Sequence, residues 1–514
     1  MINASGSALV LASEATVASL NAVVDRLAAK DHTLWGVEAE AEASVRLNWI
    51  DLPVSSRALL PELDALTAWA RSKEITTIVL AGMGGSSLAP EVIAKTYGKK
   101  LTVLDTTDPD QIKAAIPSDL AHSLVVVGSK SGSTIETASH KAFFTKVFQD
   151  AGLNPADHFV IVTDPGSPLD KSARADGLRT INADPNVGGR YSALSAFGLV
   201  PASLIGVDAS ILIDDAAAAA ATFTAPGSVA VKIAAAIFDK GEQNVAFYDS
   251  NSTLPGISDW IEQLVAESTG KNQTGRLPIA IESATSPVAG SALRISFAKD
   301  GQSDLTVEGT LGEQFILWEW VTALLSYSLR VDPFNQPNVT EAKERTGALL
   351  STWNDGRVPK FKANYEDDIL AIYSSSQSDS LEGQLRDLLK IDAHYFAIMA
   401  YLARGIDNKA PELRELIAAK SGRGTTFGWG PRFLHSTGQF HKGGQHNGAF
   451  LQITGENAGD LAIPHQSFTF HTLLMAQALG DGQALADRKF PVVRIHLKNR
   501  EAGLNSIIAE LKKI

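Results

Sequence analysis

Hydrophobic and polar positions along this chain change period from region to region. From Ile75 onward, short apolar runs rich in β-branched residues alternate with stretches of helical period. The runs predict strands at 75–81 (ITTIVLA), 101–104, 123–128 (SLVVVG), 159–163 (FVIVT) and 178–182. Helices are expected near 87–97, 110–116, 134–151, 168–175 and 192–205. Apolar strands separated by helices point to a doubly wound parallel sheet. Upstream, residues 14–30 read as an amphipathic helix ended by DHTLWG, with a second helical stretch at 37–46 and a covering helix over 59–73.

Downstream, Ala-rich helices fill 209–241 around a break at APGS. A less regular α/β pattern follows, with strands at 243–249, 277–282 and 292–298 and helices at 257–268 and 311–330. VDPFNQP at 331–337 marks a boundary, and a helix begins after it. The last stretch predicts helices near 380–404 and 409–421, a loop-rich segment FGWGPRFLHSTGQFHKGGQHNG, strands at 449–453 and 491–497, a helix at 468–480 and a final helix. The fold class is therefore α/β, in four parts: an N-terminal helical segment (1–58), a doubly wound domain (59–207), a second α/β domain (208–350), expected to be doubly wound on the resemblance given below, and an additional C-terminal α/β region (351–514).

A length of 514 residues exceeds what one core supports, in agreement with that division. The net charge of −12 and the lack of a basic run argue against nucleic acid as a partner. With no cysteine there is no disulfide, thiol nucleophile or Cys-based zinc site. MINASGSALVLAS lacks the basic start of a signal peptide, and no apolar run approaches the ~20 residues of a membrane span, so a cytoplasmic protein is expected.

Val125–Thr137, VVVGSKSGSTIET, is the stretch richest in candidate chemistry. A strand runs through a small polar loop into a helix, leaving free N–H donors beside hydroxyls and Lys130. That arrangement suits a phosphate, although a Ser-rich helix start also serves packing alone. It is not a Walker loop, because the lysine precedes the turn and no GK[ST] follows. GMGGSS at 82–87 has the same strand-to-helix setting. In ISDWIEQLVAESTGK (257–271), Gln263 and Glu267 are i,i+4 on one helix face, so Glu267 is either a general base or a solvated surface carboxylate. Gln336 and Lys343 stand two helical turns apart, and Arg190 in GGRYSALSAFGL either anchors an anion or pairs with a structural carboxylate. His435, His441 and His446 share one stretch without a zinc-binding motif, which favours acid–base or surface roles over a metal site.

GMGGSS, SKSGSTIET, GGRYSALSAFGL, QLVAESTGK and PFNQPNVTEAK, in this order over about 75–350, resemble the glucose-6-phosphate isomerase (phosphoglucose isomerase) family, built from two sugar-isomerase (SIS) domains. RFLHSTGQFHKGG resembles the variant fused to, or found alongside, transaldolase in some bacteria. The resemblance implies that Ser129, Lys130, Ser131 and Thr134 hold the substrate phosphate, with Thr137 closing the loop and Ser86 and Gly189 adding contacts. It implies Arg190 as the cation that stabilises an enediolate, Glu267 as the base moving a proton between C2 and C1, Gln263 and Gln336 as orienting groups, and Lys343 as an aid to ring opening. It further implies glycolytic and gluconeogenic interconversion of glucose 6-phosphate and fructose 6-phosphate, a homodimer, and no cofactor or metal.

One departure stands out. The family's ring-opening His, in a G-Q-H-A motif, is replaced here by GTLGEQFILWEW, where Glu313 or Gln314 occupies its place. His435 or His441, from the same or a partner chain, is the expected substitute. Two other readings stay open: an isomerase that also accepts mannose 6-phosphate, and a non-catalytic phosphosugar sensor.

Overall fold

The computed structural model describes residues 2–353 and 357–514; Met1 and residues 354–356, within the expected 1–58 and 351–514 parts, lie outside the described residues. Strand β1 (Asn3–Ser5) precedes a helical N-terminal segment. The first sheet contains β2 (Thr77–Gly82), β3 (Thr102–Leu104), β4 (Ser123–Gly128), β5 (Phe159–Thr163) and β6 (Arg179–Asn182). All five are parallel, in the order β3-β2-β4-β5-β6. Val125, Val126 and Val127 are buried, as a central strand covered on both faces requires. The chain leaves β2 toward β3 and β4 toward β5, so the order reverses between β2 and β4. Open sheets take ligands at the carboxyl ends of such a pair, and those ends carry the 82–87 and 129–134 loops.

The second sheet holds β7 (Asn244–Tyr248), β8 (Leu277–Ala280), β9 (Leu293–Ser296) and β10 (Leu305–Glu308), ordered β1-β10-β9-β7-β8. Its four later strands are parallel, and β1 adds antiparallel to the β10 edge. Two short strands, β1 at the edge and β10 beside it, are therefore added to the sequence reading. Helix Leu311–Leu329 runs through this domain's core and packs on helices Ala209–Ala220 and Val229–Lys240.

The C-terminal region has a sheet of its own, made of β11 (Tyr365–Glu366), β12 (Leu370–Tyr373), β13 (Tyr395–Ala400), β14 (Gly424–Trp429), β15 (Gly448–Gly455) and β16 (Val492–Leu497). Its order is β11-β12-β16-β15-β13-β14, parallel from β16 to β14. The expected helix over 380–404 is corrected here: Leu381–Leu389 is helical, and β13 follows as a central strand. YFAIMA is buried on both faces, so it lacks the alternation that separates a strand from a buried helix.

This third sheet also reverses direction, between β13 and β15, and residues after its strands contact the first domain. Arg500 Nη2 meets Asp108 Oδ2 at 2.7 Å, Asn457 Nδ2 reaches Asp108 and Asp110 at 3.0 and 3.1 Å, and the Arg404 N–H donates to Gln111 Oε1 at 2.9 Å. Beside this contact, Arg432 Nη1 bridges Glu91 Oε2 (2.6 Å) and Asp105 Oδ2 (2.8 Å), and Arg404 Nη1 holds Glu91 Oε1 at 2.8 Å. Burial opposes the Glu91 charge, yet the two arginines and Lys95 hold its carboxyl well below the usual range. This buried network docks the third domain on the first and fixes the Arg432–His435 turn.

Candidate functional site

Gly189–Tyr191 forms a single tight turn that enters the buried side of the first domain and carries Arg190 with it. The guanidinium is 3% exposed, so each of its donors needs a partner inside the protein. Nε bonds Ser268 Oγ (3.0 Å), Nη2 bonds the carbonyls of Pro333 and Asn335 (both 2.9 Å), and Nη1 bonds Gln336 Oε1 (2.7 Å). Nη1 also lies 3.1 Å from Glu267 Oε1. Glu267 projects from the last turn of helix Ile257–Thr269 and is 5% exposed, which corrects the alternative of a solvated surface carboxylate.

Helical spacing places Gln263 one turn before Glu267, and its Nε2 lies 3.3 Å from Glu267 Oε2 and 2.8 Å from the His435 carbonyl oxygen. The 82–87 loop closes over the same point. Gly84 has φ +55°, and a Cβ there would lie 2.7 Å from Gln263 Nε2 and 2.8 Å from the His435 carbonyl. A Cβ on Gly85 would overlap the Gly189 carbonyl oxygen. Gly85→Ala is therefore expected to push the two loops apart and cost about 1–3 kcal/mol, measured by urea unfolding; a variant as stable as wild type would contradict this close contact.

Behind the pair, the buried Lys271 donates to the Asp332 carbonyl, and Asp332 Oδ1 accepts from the N–H groups of Phe334 (2.7 Å) and Asn335 (3.3 Å). Burial, with Arg190 close by, lowers the Lys271 pKa well below its ordinary value. These bonds shape the 332–336 loop whose carbonyls receive Arg190.

The phosphate-loop candidates divide between two openings. Lys130 lines a cavity of about 300 Å³ together with Gly189, Arg190 and Gln336. Its Nζ is held by Asp164 Oδ2 (2.6 Å) and the Pro185 carbonyl (2.9 Å). Ser129 and Thr137 instead line a groove of about 890 Å³ along helix Ile135–Asp150, where the buried Thr137 hydroxyl has no partner among the described residues. Ser129 Oγ accepts from the Gly132 N–H (3.1 Å) and approaches Thr134 Oγ1 (3.4 Å), while Ser131 pairs with Ser133 (2.8 Å). Ser86 is half-buried against Gly128.

Gln336 is the cap residue before helix Pro337–Thr352, with φ −152°. It therefore does not share a helical face with Lys343, contrary to the spacing argument. Lys343 lines a separate cavity of about 170 Å³ with Glu136, His435 and Gln477. His435 Nε2 lies 3.0 Å from Glu136 Oε1. Burial opposes the Glu136 charge, but His435 beside it and Lys343 bring its carboxyl down to about 2. His441 is elsewhere, stacked on Tyr395 and edge-on to Phe450, and burial takes its pKa down to about 3.

Glu313 and Gln314, the residues standing where the family's His is expected, have structural roles. Glu313 Oε2 accepts from the Thr310 N–H (2.9 Å) in a capping box, and Gln314 bridges the Val307 carbonyl and Trp318 Nε1 inside the core. Sequence reasoning missed Glu136, Ser268 and Gln477. Glu136 lay within a motif already singled out, whereas Gln477 is one amide in an apolar helix and gave no signal.

Residues 65–290 match the family model described as phosphoglucose isomerase. That span is similar to phosphoglucose isomerases. A glucose-6-phosphate isomerase of Cyanothece sp. is 35% identical over 214 residues, 38% of this chain and 40% of that protein. A probable glucose-6-phosphate isomerase of Natronomonas pharaonis is 31% identical over 276 residues, 52% of this chain and 63% of that protein. The chain thus spans less than two thirds of the length of these relatives. In fold it is similar to the crystal structure of a glucose-6-phosphate isomerase from Chlamydia trachomatis, with TM-score 0.50, 20% identity, and coverage of 58% of this chain and 74% of that one. Ser129, Lys130, Arg190 and Glu267 fall inside the matched span; Gln336 lies beyond it and meets Arg190 through the fold, and Lys343 and His435, also beyond it, line the separate cavity. Among the described residues no helix is long and apolar enough to cross a membrane.

Proposed function

We propose that this chain interconverts glucose 6-phosphate and fructose 6-phosphate by general-base proton transfer through a cis-enediol. The observation that carries the reading is the buried Arg190–Glu267 pair, 3.1 Å apart, with Gln263 and Gln336 on either side. Aldose–ketose exchange needs one carboxylate near C1 and C2 and one preorganised cation where oxyanion charge develops. Here Glu267 moves the proton, and Arg190, already held by Ser268, Pro333 and Asn335, meets the enediolate with little reorganisation. The phosphate is assigned to the Lys130 side of the 129–134 loop, where Lys130 and Gly189 line the same cavity as Arg190 and Gln336. A phosphosugar sensor would need the loops but not this carboxylate–cation pair.

Ring opening falls to His435, with Lys343 beside it. Glu136 engages Nε2 at 3.0 Å, which leaves Nδ1 as the nitrogen available to the sugar. His435→Ala is expected to lower kcat by about 10²-fold, whereas His441→Ala leaves turnover near wild type. If neither variant changes turnover, His435 has no such role. The function as a whole is tested by following purified protein converting fructose 6-phosphate to glucose 6-phosphate; binding without conversion would make it a phosphosugar-binding protein instead.

A further inference from the structure

We propose that Gln477 is a positioning residue for His435, acting through Glu136. The inference rests on the acid–base reading of His435 above and extends it into the third domain. Gln477 sits on helix Phe470–Asp487 and is 2% exposed. Its Nε2 donates to Glu136 Oε1 at 2.7 Å, the same oxygen that His435 Nε2 approaches at 3.0 Å. Its Oε1 accepts from Thr107 Oγ1 at 2.6 Å. Thr107 therefore sets which way the amide points, and the amide sets the rotamer of the carboxylate.

The consequence follows from geometry. A carboxylate at the end of a Glu side chain has a broad terminal torsion, so one contact to an imidazole leaves its plane free to turn. A second, buried donor on the same oxygen removes that freedom and keeps Oε1 aimed at His435 Nε2. The imidazole, which lines the 170 Å³ cavity, is then held with Nε2 donating to Glu136 and Nδ1 free of that contact. The third domain thus supplies both the histidine and the group that orients its partner, and the first domain supplies Glu136 and Thr107.

Other charged groups face this cluster and are untouched by changes at Gln477. Lys343 lines the cavity from helix Pro337–Thr352, and Glu267 reaches the His435 backbone through Gln263. Arg432, in the same turn as His435, is held by Glu91 and Asp105. His140, one turn along from Glu136, bonds the Thr106 carbonyl at 2.7 Å and is kept neutral by burial, its pKa about 4.

The test uses the full chain with 15N-labelled histidine, the His435 ring signal being assigned by its loss in His435→Gln. Gln477→Glu keeps the shape and places a second carboxylate beside Glu136. The His435 titration midpoint is expected to rise by about one pH unit, with the matching limb of the kcat/KM profile for fructose 6-phosphate moving alongside it. Gln477→Leu is expected to lower kcat about tenfold and to broaden the His435 tautomer preference, and Thr107→Val to do the same more weakly. A His435 midpoint and tautomer unchanged in both Gln477 variants would overturn the proposal. If the ring signals respond but the wild type converts no fructose 6-phosphate, the positioning role stands and the isomerase reading fails.

Discussion

Glu267→Gln is expected to lower kcat for fructose 6-phosphate by about 10³–10⁴-fold while the protein still folds and binds the sugar. The amide keeps the shape of the carboxylate and can still accept from Arg190 and lie against Gln263, both now within 3.3 Å of Glu267. It cannot take up a proton from carbon. The expected signature is therefore a loss in kcat with a small change in KM, since the substrate's contacts to the phosphate loops remain. Steady-state kinetics on the variant, beside its thermal unfolding, would check this; a kcat within tenfold of wild type would show that another group is the base.

Arg190→Ala is expected to be damaging in two separable ways. The guanidinium satisfies Ser268, Gln336 and the carbonyls of Pro333 and Asn335, and its charge faces Glu267 in a buried setting. Removing it leaves that carboxylate without its cation, for which the expected loss of stability is about 3–5 kcal/mol. The same change removes the preorganised charge at the enediolate, for a further loss of about 10²–10³-fold in kcat. Arg190→Lys restores a charge but not the fork that reaches five partners, so it is expected to recover part of the stability and little of the activity. Urea unfolding with parallel kinetics separates the effects. Full activity in Arg190→Lys would mean that charge alone suffices.

The first domain was legible because its physics is simple. Parallel strands covered on both faces read as apolar runs, and all five predicted strands of the first sheet occur. The loops after β2 and β4 were legible as a ligand position for the same reason, since a doubly wound sheet leaves its reversal point open. The third domain was less so. YFAIMA, a six-residue apolar run, could belong to either a helix or a strand, and only its neighbours β14 and β15 decide the matter. The three-residue β1 is too short for any period to show.

The site divides along similar lines. Gln263 and Glu267 share a face by helical arithmetic, so their pairing could be read in advance. Arg190 meets Gln336 across 146 positions, and His435 meets Glu136 across 299, and no local pattern reports contacts of that kind. Gln336 shows the limit of spacing arguments: it caps its helix instead of lying on it, so counting turns to Lys343 failed. Near the third sheet's own reversal point, Asp108 and Asp110 of the first domain bond Arg500 and Asn457, a contact that no local sequence pattern reports.

The central claim is proton transfer at carbon, and isomerisation in deuterated water tests it most directly. Wild-type protein would be incubated with fructose 6-phosphate in the presence of EDTA, and the products read by proton NMR. The account predicts glucose 6-phosphate carrying deuterium at C2, and exchange into C1 of the remaining fructose 6-phosphate, both lost in Glu267→Gln. Product formed with no deuterium at either carbon would contradict a solvent-exchanging base, and substrate bound but unchanged would contradict the isomerase reading itself.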